Sequence, residues 1–148
     1  MAEPIYLEDL AVGDVFLSDH YTLDAEQIIR FATEFDPQPF HLDHHAARDT
    51  FFQGLAASGW QTASITMRLL VASLPLARGI IGAGAEMAWP QATRPGDVLR
   101  VTSKIISITP SLSKPDRGIV VVECITSNQK DEVLQRMVTT ILCFKKSG

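Results

Sequence analysis

Apolar residues recur along this chain at two different periods, and the change of period divides it. In the first third, Ala25, Ile28, Ile29, Ala32 and Phe35 fall at helical spacing and give one apolar face. Thr22 is placed to cap that helix, with Asp24 and Glu26 complementing the positive end of its dipole. The helix must stop near Asp36, because the residue before a proline is pushed out of the α region and Pro37 is followed by Pro39. A second helix begins at Ser58-Gly59-Trp60-Gln61, which matches an S-x-x-Q capping box in which Ser58 caps and Gln61 reaches back. Its apolar residues (Trp60, Ala63, Ile65, Met67, Leu69, Leu70, Val71, Ala72, Leu74) lie nearly all round, which predicts a helix wrapped by other elements. After Pro75 the period changes. Four runs rich in Val, Ile and Thr, at 80–89, 98–109, 118–127 and 133–144, predict long strands separated by the turn segments PQATRPGD, PSLSKPDR and NQKDE. A short strand over 14–21 precedes the first helix, following the Gly13-Asp14 turn. Strand, helices, then four strands is an α+β order with an antiparallel sheet.

Composition narrows the classes. With 148 residues, 46% of them hydrophobic and 20% charged, the chain suits one domain over 1–148 and is short for two good cores. A net charge of -4 with scattered Lys and Arg leaves no footprint for nucleic acid. The longest apolar stretch, 55–77, carries Arg68 at its middle, Pro75, and six Ser, Thr or Gln side chains. A central Arg costs about 2.5 to 3.5 kcal/mol on insertion scales, so no membrane span is expected. The N-terminus lacks a basic start followed by an apolar run, so a cytoplasmic protein is expected. Cys124 and Cys143 lie in strand-like runs without the paired spacing of a zinc or redox motif, and read as core thiols.

The chemistry concentrates at 36–45, DPQPFHLDHH. Asp36 and His41 are five positions apart with two prolines between them, an arrangement that aims both side chains with little freedom left to lose. A carboxylate beside an imidazole suits acid–base work on a water molecule near neutral pH. The bland alternative is a helix-ending turn plus a surface histidine. Asp43, His44 and His45 read as the start of a short exposed helix. Adjacent His44 and His45 do not readily face one ion, so no metal is expected. Gly59, on the first position of the capped helix, would offer an unpaired N–H at the positive end of a dipole, with room for a substrate oxygen to approach. Ser58 reads as a cap rather than a nucleophile, because no G-x-S-x-G elbow surrounds it. Trp60 and Trp89 read as core or pocket wall, and Trp60, beside Gly59, as a limit on the length of a bound group. Arg68 needs a partner or a route to solvent, and Arg94, Lys114 and Arg117 read as solvated loop charges or contacts for ligand phosphates.

Three stretches carry a family likeness: the 36–41 run DPQPFH, the 54–63 run GLAASGWQTA opening the central helix, and RPGD at 94–97 before a strand. With the order of elements, the chain resembles the MaoC-like dehydratases, also called R-specific enoyl-CoA hydratases, over almost its whole length. The resemblance implies a hot-dog fold, an antiparallel sheet wrapped around a long central helix. It implies reversible hydration of a trans-2-enoyl-CoA thioester to an (R)-3-hydroxyacyl-CoA. Asp36 and His41 would hold the water, and the thioester oxygen would sit at Gly59, in a site that Ser58, Trp60 and Gln38 help to form. It further implies a homodimer with sheets joined side by side, and no dissociable cofactor, coenzyme A being part of the substrate. The chain departs from the family pattern at Gln38, where Asn is usual, and at Ser58, where His is common. Two other functions share the fold: an acyl-CoA thioesterase, and a non-catalytic subunit that binds acyl thioesters.

Overall fold

A computed structural model describes residues 3–146. A 3₁₀ turn at Leu7–Asp9 precedes the strands β1 (Val15–Leu17) and β2 (Tyr21–Thr22). Four helices follow: α1 (Ala25–Phe35), α2 (Pro39–Leu42), α3 (His44–Arg48) and α4 (Gly59–Ser73). The remaining strands are β3 (Ile81–Ala88), β4 (Val98–Pro110), β5 (Arg117–Ser127) and β6 (Val133–Phe144). The sheet is antiparallel, in the order β1-β4-β5-β6-β3, with β2 also paired to β4. Register shifts at 105/107 in β4 and 126/127 in β5 bend the long strands. The sheet curls over α4, as in the hot-dog fold.

The core lies between them. Ile65, Leu69, Leu70 and Leu74 of α4 join Val101 and Ile105 of β4, Val120 and Val122 of β5, and Leu134 and Ile141 of β6 in one buried cluster. Each such side chain, fully buried, contributes about 1.5–3 kcal/mol. Cys124 and Cys143 are buried free thiols in that cluster. Burial pushes Cys143 up to about 11.

The strand expected over 14–21 forms as two short ones, β1 and β2, and two further elements differ from the sequence reading. The cap of α1 is Asp24, not Thr22: Asp24 Oδ1 accepts from Gln27 N–H, and Gln27 Oε1 accepts from Asp24 N–H, a complete capping box one turn edge later than expected. Thr22 instead continues β2. And α4 is not covered all round: Trp60, Met67 and Val71 are 60%, 41% and 50% exposed and form a bare stripe along it. Among the described residues no helix is long and apolar enough to cross a membrane.

Candidate active site

Asp36 closes α1, its N–H donating to Ala32 O at 2.9 Å. The two prolines lead one to expect DPQPFH as a stiffened, non-helical segment leaving α1, but part of it is helical: Pro39 occupies the first position of α2, where a missing N–H is harmless, and one helical turn carries His41. The turn brings Nε2 of His41 to 3.3 Å from Oδ2 of Asp36, with the two side chains 6% and 17% exposed. Phe40 packs edge-on to the His41 ring and Phe52 lies beyond it, so the imidazole sits in an aromatic cage.

The tautomer of His41 follows from its other nitrogen. Nδ1 lies 2.6 Å from Ala56 O. A carbonyl only accepts, so Nδ1 carries a hydrogen, and Nε2 is the nitrogen turned toward Asp36. Nε2 and the Asp36 carboxylate therefore face one small volume of the cavity. Asp36 stays a carboxylate through three neighbours. Burial works to raise its pKa, but donors from Gln38 (Nε2 to Oδ1, 2.6 Å) and Ser58 (Oγ to Oδ2, 2.7 Å), with the charge of His41, hold it below the usual carboxylate range. The longer amide of Gln38 thus reaches the acid.

Ser58 does two things. Its Oγ accepts from Trp60 N–H at 3.2 Å, capping α4 as expected, and donates to Asp36 across 22 positions of sequence, which the sequence did not reveal. The expected return contact from Gln61 is absent: its Nε2 donates to Gln27 O at 3.1 Å, tying α4 to α1. Ser58 O accepts from Gln61 and Thr62, and the N–H of Gly59 finds no acceptor among the described residues. Glycine is required at 59 for a different reason than expected. A Cβ there would lie 2.7 Å from Cε2 of Trp89, so the indole occupies the side of Gly59 where a side chain would project.

Asp36, Gln38, His41, Gly59 and Trp60 line one cavity of about 360 Å³, together with Phe52 and Trp89. Five of the six expected site residues therefore meet in one place, with Ser58 behind Asp36. Asp43 is occupied elsewhere, accepting from the N–H groups of His45 and Ala46 at the start of α3. No cluster of three metal-ligating side chains occurs among the described residues. Arg94 is not a free loop charge: its guanidinium donates to Phe52 O (2.6 Å), Gly54 O (3.0 Å) and Leu55 O (3.3 Å). That clamp fixes the segment leading to Ala56 and Ser58. Arg68 reaches solvent beside the Tyr21 ring, Arg117 pairs with Asp116, and Lys114 is exposed.

The sequence model of the MaoC like domain matches residues 10–127, four-fifths of the chain. The chain belongs to the MaoC-like family. A MaoC-like dehydratase from Rhodospirillum rubrum is 57% identical and superposes with a TM-score of 0.96, over 97% of this chain and 99% of that one. The uncharacterized protein YdeM of Bacillus subtilis (strain 168) is 33% identical over 128 residues, 84% of this chain and 89% of its own. The R-hydratase PhaJ1 from Pseudomonas aeruginosa shares the fold at 21% identity, with a TM-score of 0.78 over 97% of this chain and 88% of that one. The family match and the Rhodospirillum rubrum relative support a hydratase or dehydratase role for this MaoC-like chain.

Proposed function

We propose that the protein adds water reversibly to the double bond of a trans-2-enoyl-CoA thioester, giving an (R)-3-hydroxyacyl-CoA. The observation that carries this is the pair Asp36 Oδ2 and His41 Nε2, 3.3 Å apart in the cavity that Gly59 lines at the start of α4. In the hydration direction the water oxygen bonds to C3 while one water proton passes to the acid–base pair. The electron pair of the C2–C3 bond moves toward the thioester carbonyl, whose oxygen gains negative charge against the unpaired Gly59 N–H and the dipole of α4. A proton delivered to C2 completes the addition, and dehydration is the reverse. His41, with Nδ1 anchored on Ala56, takes and returns the proton through Nε2, and Asp36 orients the water.

The test follows the loss of enoyl-thioester absorbance with crotonyl-CoA for the wild type, Asp36→Asn and His41→Ala. A positioned acid or base contributes about 10² to 10⁴ in rate, so each variant should fall by that order. Equal turnover in the three proteins removes the assigned roles. Release of free thiol from saturated acyl-CoA, without hydration, replaces the reading with a thioesterase. We further infer a homodimer. Its support is β3, an edge strand exposed on both faces, next to the bare stripe on α4.

A further inference from the structure

We propose that Trp89 closes the acyl end of the cavity, restricting the site to short acyl thioesters, and that the buried Gln135 is the positioning residue that holds the ring there. The proposal rests on the acyl-thioester reading above and deepens it.

Trp89 follows the end of β3, yet its indole lies on the Cα of Gly59, the residue whose N–H would face the thioester oxygen. Three ring atoms stand 2.7, 2.9 and 3.0 Å from where a Cβ at 59 would be. The ring therefore forms the cavity wall against the first turn of α4. Trp60 packs edge-on against it, with ring centroids 5.4 Å apart at 79°, thickening the same wall.

What fixes the ring comes from behind. Trp89 Nε1–H donates to Gln135 Oε1 at 2.9 Å, and Gln135 is fully buried. The amide of Gln135 donates in turn to Thr66 Oγ1 at 3.0 Å, and Thr66 and Thr126 share a 2.6 Å hydrogen bond, both fully buried. A second hydroxyl pair, Thr62 and Thr93 at 2.9 Å, lies at the cavity wall. Swinging the indole away would strand a buried amide oxygen, so the ring is a fixed wall rather than a gate. The space between α4 and the sheet, where a long methylene chain would have to run, is closed by hydrogen-bonded polar pairs. Threading alkyl groups there would separate those pairs with nothing to replace them.

The experiment has two readouts. The first is kcat/KM on enoyl-CoAs of four, six and eight carbons; the second is the dissociation constant of butyryl-, hexanoyl- and octanoyl-CoA by calorimetry, which needs no turnover. In wild type kcat/KM should fall and the dissociation constant should rise with length. Trp89→Ala should raise the eight-to-four-carbon ratio at least about tenfold, the scale of one or more methylenes accommodated in an apolar pocket. Trp89→Phe keeps a ring and should move it less. Gln135→Leu should shift the same ratio in the direction of Trp89→Ala and speed hydrogen exchange at the Trp89 indole N–H, which a loss of stability alone would not do selectively. Wild type that binds acyl-CoAs with the predicted length dependence but turns none over removes the hydratase reading and leaves this one standing. A wild type that prefers eight carbons, binds no acyl-CoA, or shows the same ratio as Trp89→Ala overturns the proposal.

Discussion

Ser58 links the two halves of the site through a single oxygen. Its hydroxyl hydrogen goes to Asp36 Oδ2 and its lone pair to the N–H of Trp60, so the acid and the start of α4 share one side chain. Replacing it by Ala should act on both. Loss of the N-cap costs about 0.5–2 kcal/mol, measurable by denaturant unfolding at pH 7. Loss of the donor weakens the hold that keeps the Asp36 carboxyl low. The folded pKa of Asp36 lies below its unfolded value, so its ionised form adds stability that is present above the ordinary carboxylate range and lost as pH falls through the folded value. In Ser58→Ala that folded value rises. The acid limb of kcat/KM should therefore move to higher pH, and the stability gap to wild type should narrow below about pH 4, where both carboxyls become protonated. An acid limb that stays where it is in wild type refutes the shared role.

At the scale of elements, what was legible in the sequence depended on how far apart the partners are. The helical period of 25–35, the strand runs after Pro75 and the cap at Ser58 are local patterns, and each element formed near its expected bounds. The candidate pair Asp36 and His41 was equally local. The contacts that hold the site together are long-range: Ser58 to Asp36 spans 22 positions, Trp89 to Gln135 spans 46, and Arg94 to Phe52 spans 42. No periodicity encodes these, and competing partners decide them, as when Gln61 leaves the capping box for Gln27. Arg94 shows the consequence. Three carbonyls of 52–55 converge on one planar guanidinium, and the loop they belong to delivers Ala56 to His41 Nδ1. Arg94→Met keeps the stem and removes the donors. It should cost about 1–3 kcal/mol in thermal or denaturant unfolding, and Arg94→Lys should recover little, because a compact ammonium does not reproduce the fork. Unchanged stability together with a raised KM for coenzyme A substrates would instead return Arg94 to phosphate binding.

At the scale of the whole molecule, the sheet ends on a strand with no protection. Among the described residues β3 pairs only with β6 and leaves its other edge free, and its first six residues, Ile81 to Glu86, are all exposed. Edge strands of stable monomers are blunted by lysine, proline or a covering loop; this one has neither residue type. A second copy adding its own β3 antiparallel would complete the backbone pairing and cover the stripe of Trp60, Met67 and Val71, placed at i, i+7 and i+11 on one side of α4. Because Trp60 also lines the cavity, a dimer formed on that stripe would couple to the shape of the candidate site. Ala83 separates the two effects. It falls in the register shift between Gly82 and Gly84 and has no partner on β6, so proline there blocks added pairing while the internal ladder survives. Wild type should sediment as a dimer and Ala83→Pro as a monomer with unchanged far-ultraviolet circular dichroism and reduced enoyl-CoA turnover. A monomeric wild type would remove the dimer, and an active monomeric variant would show that the cavity is complete within one chain.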